Sequence, residues 1–547
     1  MKTGDTTART AGLALAPSAH VDGFARDRLP LGEHWPDLRL DGTGLTYPER
    51  LNAAAELLDG WIARGRAGNP CLIAPDATWT YGRLADTVNR IARLFVDEFG
   101  VVPGNRVLLR GPNTPMLAAA WLAVVKAGAI VVPTMPLLRG AELSDILSIA
   151  GVGLVLADAA FVDELAGLPA TVVPFNGGGA EALEARIAAL PPEFAAADTA
   201  GDDVALIAFT SGTTGRPKAT AHFHRDLLAV ADLSPRSLLN TGPDDVFCGT
   251  PPIAFAFGLG GLLLFPLRAG ASAVLLDRPT PERLLHAMAA HRATLCFTIP
   301  TVYRAMTTLI EEGQAPPPPA LRACISAGEP LPEPTYTAWR AATGVTILDS
   351  LGTTELLNAV LHAIPGDVRP GAIGRPVPGY EAMVVDEEFR PLPPGTVGRL
   401  AVRGPTGCRY LDDPRQAQYV RDGWNLTGDA VHADEDGVYW YHGRTDDLIV
   451  SSGYKISGME IEEVLLSHPA VEECAVVAAP DPLRGTVPKA FVVVRSDAGP
   501  ELARDLQNFV KARIAPYKYP RMLEFLERLP RTETGKVQRY KLRQGDV

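Results

Sequence analysis

The chain has 547 residues, more than one core accommodates, since single cores rarely outgrow about 250 to 300 residues. Hydrophobic residues make up 47% and charged residues 21% of it, which excludes a disordered or fibrous protein. The formal charge of −12 offers no electrostatic footprint for a phosphate backbone, so no nucleic-acid partner is expected.

The opening stretch, Met1–His20, lacks the apolar core of a secretory signal and reads as a lead-in, disordered over roughly its first 25 residues. The apolar region Met116–Val132 is broken by Lys126 and Gly128 and followed by Pro133. That predicts a buried helix and then a strand, and it falls short of the roughly 18 uninterrupted apolar residues of a membrane span. From Tyr81 to Val360, short β-rich runs recur at Val204–Phe209, Ala273–Asp277, Thr294–Ile299 and Val345–Leu348, with helical stretches such as PERLLHAMAAH between several of them. Apolar strands alternating with helices predict an α/β body of mostly parallel sheets covered on both faces. The four prolines Pro316–Pro319 suit a surface connection.

From Gly379 to Arg403 the runs YEAMVVD and GRLAVRG flank the turn-rich RPLPPGTV, which predicts a hairpin in a smaller β region. After Asp446 the pattern begins again with helix EIEEVLLSH, strands VEECAVVAA and KAFVVV, and a helix from Pro500 to Ile514. In that helix Leu502, Leu506, Phe509, Val510 and Ile514 share one face. The expected organisation is a large domain over residues 1–445 and a small α+β domain over residues 446–547. Six cysteines (Cys71, Cys248, Cys296, Cys324, Cys408 and Cys474) lie far apart without a CxxC pair. Neither a disulfide framework nor a cysteine zinc site is expected, and a reducing cytoplasm fits.

The stretch FTSGTTGRPKAT, Phe209–Thr220, has little to pack and much to bind with. Thr210, Ser211, Thr213 and Thr214 offer hydroxyls, Gly212 and Gly215 let the backbone approach a ligand, and Lys218 adds positive charge. Together they suit a polyphosphate at the carboxyl end of the strand before them, although a solvated Ser/Thr/Gly turn has the same composition. The spacing is not that of the Walker loop. Neither GxSxG nor HExxH occurs, and His222–His224, HFH, lacks the further ligands of a metal site.

The loop closely resembles the phosphate loop of the adenylate-forming superfamily, which includes acyl-CoA synthetases, peptide-synthetase adenylation domains and firefly luciferase. Further segments resemble that family's signatures in order: SAGEPLP (Ser326–Pro332), DSLGTTE (Asp349–Glu355), YVRDGWNLTGD (Tyr419–Asp429), GRTDDLIVSSGYKISGMEIE (Gly443–Glu462) and PRTETGKVQR (Pro530–Arg539). The resemblance implies an enzyme that uses ATP, Mg²⁺ and coenzyme A. Thr354 can hydrogen-bond a phosphate, and Glu355 supplies the hard oxygen that Mg²⁺ prefers. Asp429 has two acceptors for the ribose hydroxyls, and Arg444 adds a cationic fork.

By the same resemblance the nucleotide lies along Asp349, Ser350, Leu351, Gly352 and Thr353, with Ala327, Gly328 and Glu329 bordering adenine. The resemblance implies that Lys536 contacts the carboxylate and α-phosphate and joins Lys218, Thr354 and Glu355 as the catalytic set. The same resemblance makes Asp446 the hinge and puts Gly453 and Lys455 on the coenzyme A side. Phe255 and Phe257 suit an acyl pocket, though aromatic residues so spaced also pack cores.

Leu351 stands where many members carry an adenine-stacking tyrosine. An aliphatic residue there, with HFHRDLLAV (His222–Val230) and SAHVDGFARDRLP (Ser18–Pro30), resembles the benzoate and 2-aminobenzoate CoA-ligase branch. The expected function is ATP-dependent ligation of a small aromatic acid to coenzyme A. Three alternatives stay open: loading of a carrier-protein phosphopantetheine arm, a medium-chain fatty acid as substrate, and a catalytically idle nucleotide binder.

Overall fold

The computed structural model describes residues 15–41, 43–210, 217–445, 447–451, 454–481, 485–495, 498–514, 518–531 and 537–545. One six-stranded sheet runs in the order Thr171–Phe175, Leu154–Asp158, Arg106–Arg110, Ile130–Thr134, Val204–Thr210, Lys218–Phe223. Its pairs are parallel until the last, where Val204–Thr210 and Lys218–Phe223 run antiparallel and Thr210 faces Lys218. The helix expected from the Met116 region is Pro115–Lys126, with Thr114 accepting from Leu117 N at its N-cap and Pro115 opening its first turn. Apolar on every side, it is buried on every side. Its terminal Lys126 is only 2% exposed and is held by Asp59 at 2.7 Å, a buried charge answered by a partner.

A nine-stranded sheet lies beside the first, in the order Arg375–Pro376, Asn358–His362, Ile347–Thr353, Ala323–Ser326, Leu295–Thr298, Val246–Gly249, Ser272–Val274, Pro70–Ala74, Ala77–Thr80. Its interior pairs are parallel and its edges antiparallel. The strand expected at Ala273–Asp277 is the shorter Ser272–Val274: Leu275 N still donates to Ile73 O at 2.8 Å, but the neighbour Pro70–Ala74 then turns back into Ala77–Thr80 and the pairing stops. The strand expected at Val345–Leu348 runs later and further, as Ile347–Thr353, because Asn358–His362 folds back to pair with its second half. All six cysteines are free and buried.

A five-stranded antiparallel sheet contains the expected hairpin, Glu381–Val385 paired with Gly398–Arg403, together with Trp424–Ala433, Val420–Arg421 and Tyr439–Arg444. The last sheet consists of Ile449–Ser451, Tyr454–Ile456, Val471–Asp481, Gly485–Val494 and Met522–Phe525. Helices Gly458–Leu466 and Pro500–Lys511 pack on it through Ile461, Leu465, Leu506 and Val510, a core separate from the larger ones. The molecule is thus a large layered α/β body followed by a smaller α+β unit. From Ala16 on, the lead-in is tied down rather than loose: Ala16 N donates to Asp202 at 3.0 Å, and Ala19 N and Arg26 reach Asp203. No helix among the described residues is long and apolar enough to cross a membrane.

Candidate functional site

The carboxyl ends of the parallel strands converge on one edge, the place where open α/β sheets bind ligands. Val204–Thr210 leads into the hydroxyl-rich loop, and Lys218 begins the returning strand, so Thr210 and Lys218 stand opposite one another at the loop's base. On the neighbouring sheet, Ile347–Thr353 ends in a turn closed by Leu357 N donating to Thr354 O, and this turn carries Glu355 toward the same base. Thr210 Oγ1 lies 3.5 Å and Lys218 Nζ 3.7 Å from Glu355 Oε1. Between them sits a residue that no motif points to, Tyr410. Its hydroxyl accepts from Lys218 Nζ at 2.7 Å and donates to Glu355 Oε1 at 2.5 Å. Burial, with the Glu355 charge behind it, holds the Tyr410 phenol far above its usual range, so it stays neutral.

Tyr410 arrives there because the segment around it pairs with Lys218–Phe223: Ala221 N donates to Arg409 O at 2.8 Å and Leu411 N to Ala219 O at 2.9 Å. Side chains alternate along such a segment, so Arg409 points the other way. It makes an ion pair of 2.7 Å with Asp226, neither side chain having any exposure, and lies over the Phe223 ring at 4.0 Å. His222 and His224 are buried nearby, and loss of hydration holds their imidazoles at about 4 and about 3, well below the usual value. They are neutral interior groups.

Ser326 and Asp349 are register partners on adjacent strands, which places Ala327, Gly328 and Glu329, at the end of one strand, beside Asp349 on the next. Gly328 takes a φ of +87°, the left-handed region that favours glycine, as the chain turns away. Asp349 Oδ1 is shut from solvent without a hydrogen bond from a described residue, although the residue as a whole is half-buried. Burial pushes this carboxyl up to about 8, against the opposing pull of the Ser350 and Leu331 amides and the Ser326 hydroxyl. Ser350 Oγ donates to Ser326 O at 2.8 Å, and Leu351 packs on the apolar cluster around Val360 and Tyr380. A Cβ at Gly352 would lie 2.5 Å from Asn358 O, so only glycine fits that position. Thr353 Oγ1 caps the turn by accepting from Leu356 N at 3.2 Å.

Asp429, 3% exposed, accepts at Oδ1 from Arg444 Nη1 at 2.9 Å and from the Tyr441 hydroxyl at 3.3 Å, and the two strands pair Asp429 with Arg444 directly. Its Oδ2 takes no hydrogen bond from a described residue. Phe255 and Phe257 follow strand Val246–Gly249 on the same sheet edge; Phe257 packs on Phe297 at 5.9 Å in a cluster shared with Phe247 and Phe265. Ser211, Gly212, Thr213, Thr214, Gly215, Asp446, Gly453 and Lys536 lie outside the described residues, as does the side chain of Lys455. The structure therefore brings together Thr210, Lys218 and Glu355 as one group and Ala327 to Glu329 with Asp349 as another, with Asp429 and Arg444 paired in a third. Tyr410 could not be found from sequence, because its two contacts join residues 55 and 192 positions apart.

Known proteins resemble this chain over most of its length. The pattern described as AMP-binding enzyme matches residues 60–409, and that described as AMP-binding enzyme C-terminal domain matches residues 460–536. The chain is 37% identical over 514 residues to a benzoate–CoA ligase of Thauera aromatica, covering 91% of this chain and 97% of the relative. The solved structure of the anthranilate CoA ligase AuaEII in complex with anthranoyl-AMP is 32% identical and superposes with a TM-score of 0.86, covering 91% of this chain and 98% of that one. A benzoate CoA ligase from Burkholderia xenovorans LB400 is 35% identical with a TM-score of 0.82, covering 90% and 100%. A layered α/β body followed by a small α+β unit is the architecture of adenylate-forming enzymes. The chain belongs to the AMP-binding enzyme family.

Proposed function

We propose that the chain is an AMP-forming acid–CoA ligase that activates a small aromatic carboxylic acid, benzoate or 2-aminobenzoate, as an acyl-adenylate and passes the acyl group to coenzyme A. The observation that carries this reading is the likeness, over most of the chain, to ligases named for benzoate and anthranilate. A carboxylate is a poor electrophile, and attack of its oxygen on the α-phosphorus of ATP expels pyrophosphate and leaves a mixed anhydride. The coenzyme A thiolate then attacks the carbonyl and AMP departs. No protein nucleophile is needed.

Each group at the sheet edge has a role in this scheme. Lys218 and Thr210, with the hydroxyls that follow, hold the phosphates. Asp349 and Ala327 to Glu329 border the adenine, and Asp429 with Arg444 takes the ribose hydroxyls. Phe255 and Phe257 face the aromatic ring of the acid. Mg²⁺ supplies charge neutralisation between the phosphates when bound. The residues fit it: Glu355 keeps Oε2 free of hydrogen bonds to described residues, and a single carboxylate suffices for an ion that shares its shell with phosphates and water. Residues 446–547 form the small domain in this account, turning about Asp446 between the two half-reactions, and Gly453 and Lys455 then line the thiol approach. Six free cysteines accord with a cytoplasmic setting.

Mass spectrometry of products formed with ATP, Mg²⁺ and coenzyme A, across benzoate, 2-aminobenzoate, hydroxybenzoates, cinnamates and medium-chain fatty acids, tests the reading. An aroyl-CoA and AMP are expected, with the small aromatic acids turned over fastest. Adenylate without thioester would indicate a carrier-protein acceptor instead, and preference for a fatty acid would overturn the aromatic assignment.

A further inference from the structure

Two opposite charges face each other at the base of the loop, and both have work elsewhere. Lys218 Nζ and Glu355 Oε1 are 3.7 Å apart, close enough that attraction alone would draw them into a direct hydrogen-bonded pair. In such a pair the ammonium would spend its protons on the carboxylate, and the carboxylate an oxygen on the ammonium. Tyr410 stands in the way. Its hydroxyl satisfies both at once, accepting from Lys218 at 2.7 Å and donating to Glu355 at 2.5 Å.

The tyrosine cannot drift aside. It is 1% exposed, its ring lies edge-on to Tyr419 at 5.7 Å, and its N donates to Gln416 Oε1 at 2.9 Å. The buried Arg409–Asp226 pair anchors the preceding residue from the opposite face. Glu355 receives Tyr410, Thr210 and Lys218 all at Oε1, so among the described residues the contacts gather on one oxygen and leave the other for a ligand.

We propose that Tyr410 is a positioning residue, a neutral spacer that keeps Lys218 and Glu355 apart, so that one meets the nucleotide phosphates and the other their Mg²⁺. The inference rests on the function proposed above, but only on its nucleotide half. Tyr410→Phe keeps the ring and removes the spacer hydroxyl, and Lys218 then closes on Glu355.

Calorimetric titration of the full-length protein with ATP, with and without Mg²⁺ and with no acid present, separates the possibilities. Tyr410→Phe is expected to bind Mg·ATP roughly 10- to 30-fold more weakly than wild type, the size of a lost hydrogen bond to a charged group, with Mg²⁺ no longer tightening ATP. Adding Lys218→Met to Tyr410→Phe removes the cation that occupies Glu355, so the tightening by Mg²⁺ returns although overall affinity stays low. A misfolded site does not regain ligand response through a second lesion. Tyr410→Phe that binds Mg·ATP as wild type does, or a double variant without recovered Mg²⁺ dependence, overturns the spacer. A wild-type protein that binds no Mg·ATP overturns the proposed function, and the spacer with it.

Discussion

Replacing Lys536 by alanine will slow acid-dependent AMP formation by roughly 10² to 10³, the usual cost of removing one preorganised charge from a transition state. Negative charge grows on the α-phosphate as the carboxylate oxygen attacks, and the resemblance assigns Lys536 to both reacting groups. Arg531 and Val537 pair across the segment, and Gln538 N donates to Pro530 O at 2.8 Å. Arg531 reaches Glu473 at 3.0 Å and Glu329 at 3.9 Å, which ties this part of the small unit to the loop beside Asp349. The same variant should bind ATP normally and should convert separately supplied aroyl-adenylate and coenzyme A to thioester at close to the wild-type rate. Undiminished pyrophosphate release in single-turnover experiments would remove Lys536 from the chemistry.

Asp349→Asn will change how stability depends on pH. Burial raises this carboxyl from 3.8 to about 8 in the folded chain, so between those values the native state holds a proton that the unfolded state has released. Stability of the wild type is therefore lost as pH rises through that window, by at most about 1.4 kcal/mol for each unit from this group. Asparagine carries no such proton and has no such slope. Urea midpoints of the two proteins should diverge steadily from pH 5 to pH 8 in favour of the variant, and parallel curves would show that the carboxyl ionises freely where it lies.

Much of this architecture is legible in the sequence, and the parts that are not share a physical cause. Val204–Thr210 could be read because a continuous apolar run stopping at hydroxyls and glycine marks both a buried parallel strand and the loop beyond it. Pro115–Lys126 announced itself by the all-round hydrophobicity of the run that begins at Met116. The strand Ser272–Val274 is shorter than its apolar run because its length is set by its partner's turn, far earlier in the chain, and not by its own side chains. Motif order singles out Glu355, Asp429 and Arg444 as expected site residues, and the structure pairs the last two across adjacent strands. Tyr410 belongs to none of these patterns: its place depends on two sheets meeting and on a buried Arg409–Asp226 pair behind it.

The account stands or falls on an acyl-adenylate, and carboxylate labelled with oxygen-18 tests it most directly. Benzoate labelled at both carboxyl oxygens is incubated with ATP, Mg²⁺ and coenzyme A, and the products are weighed by mass spectrometry. If the carboxylate attacks the α-phosphorus and the thiol later breaks the acyl C–O bond, one labelled oxygen ends in AMP and the other stays in benzoyl-CoA. Label in inorganic phosphate, accompanied by ADP, would mean attack at the γ-phosphorus and would contradict the assignment.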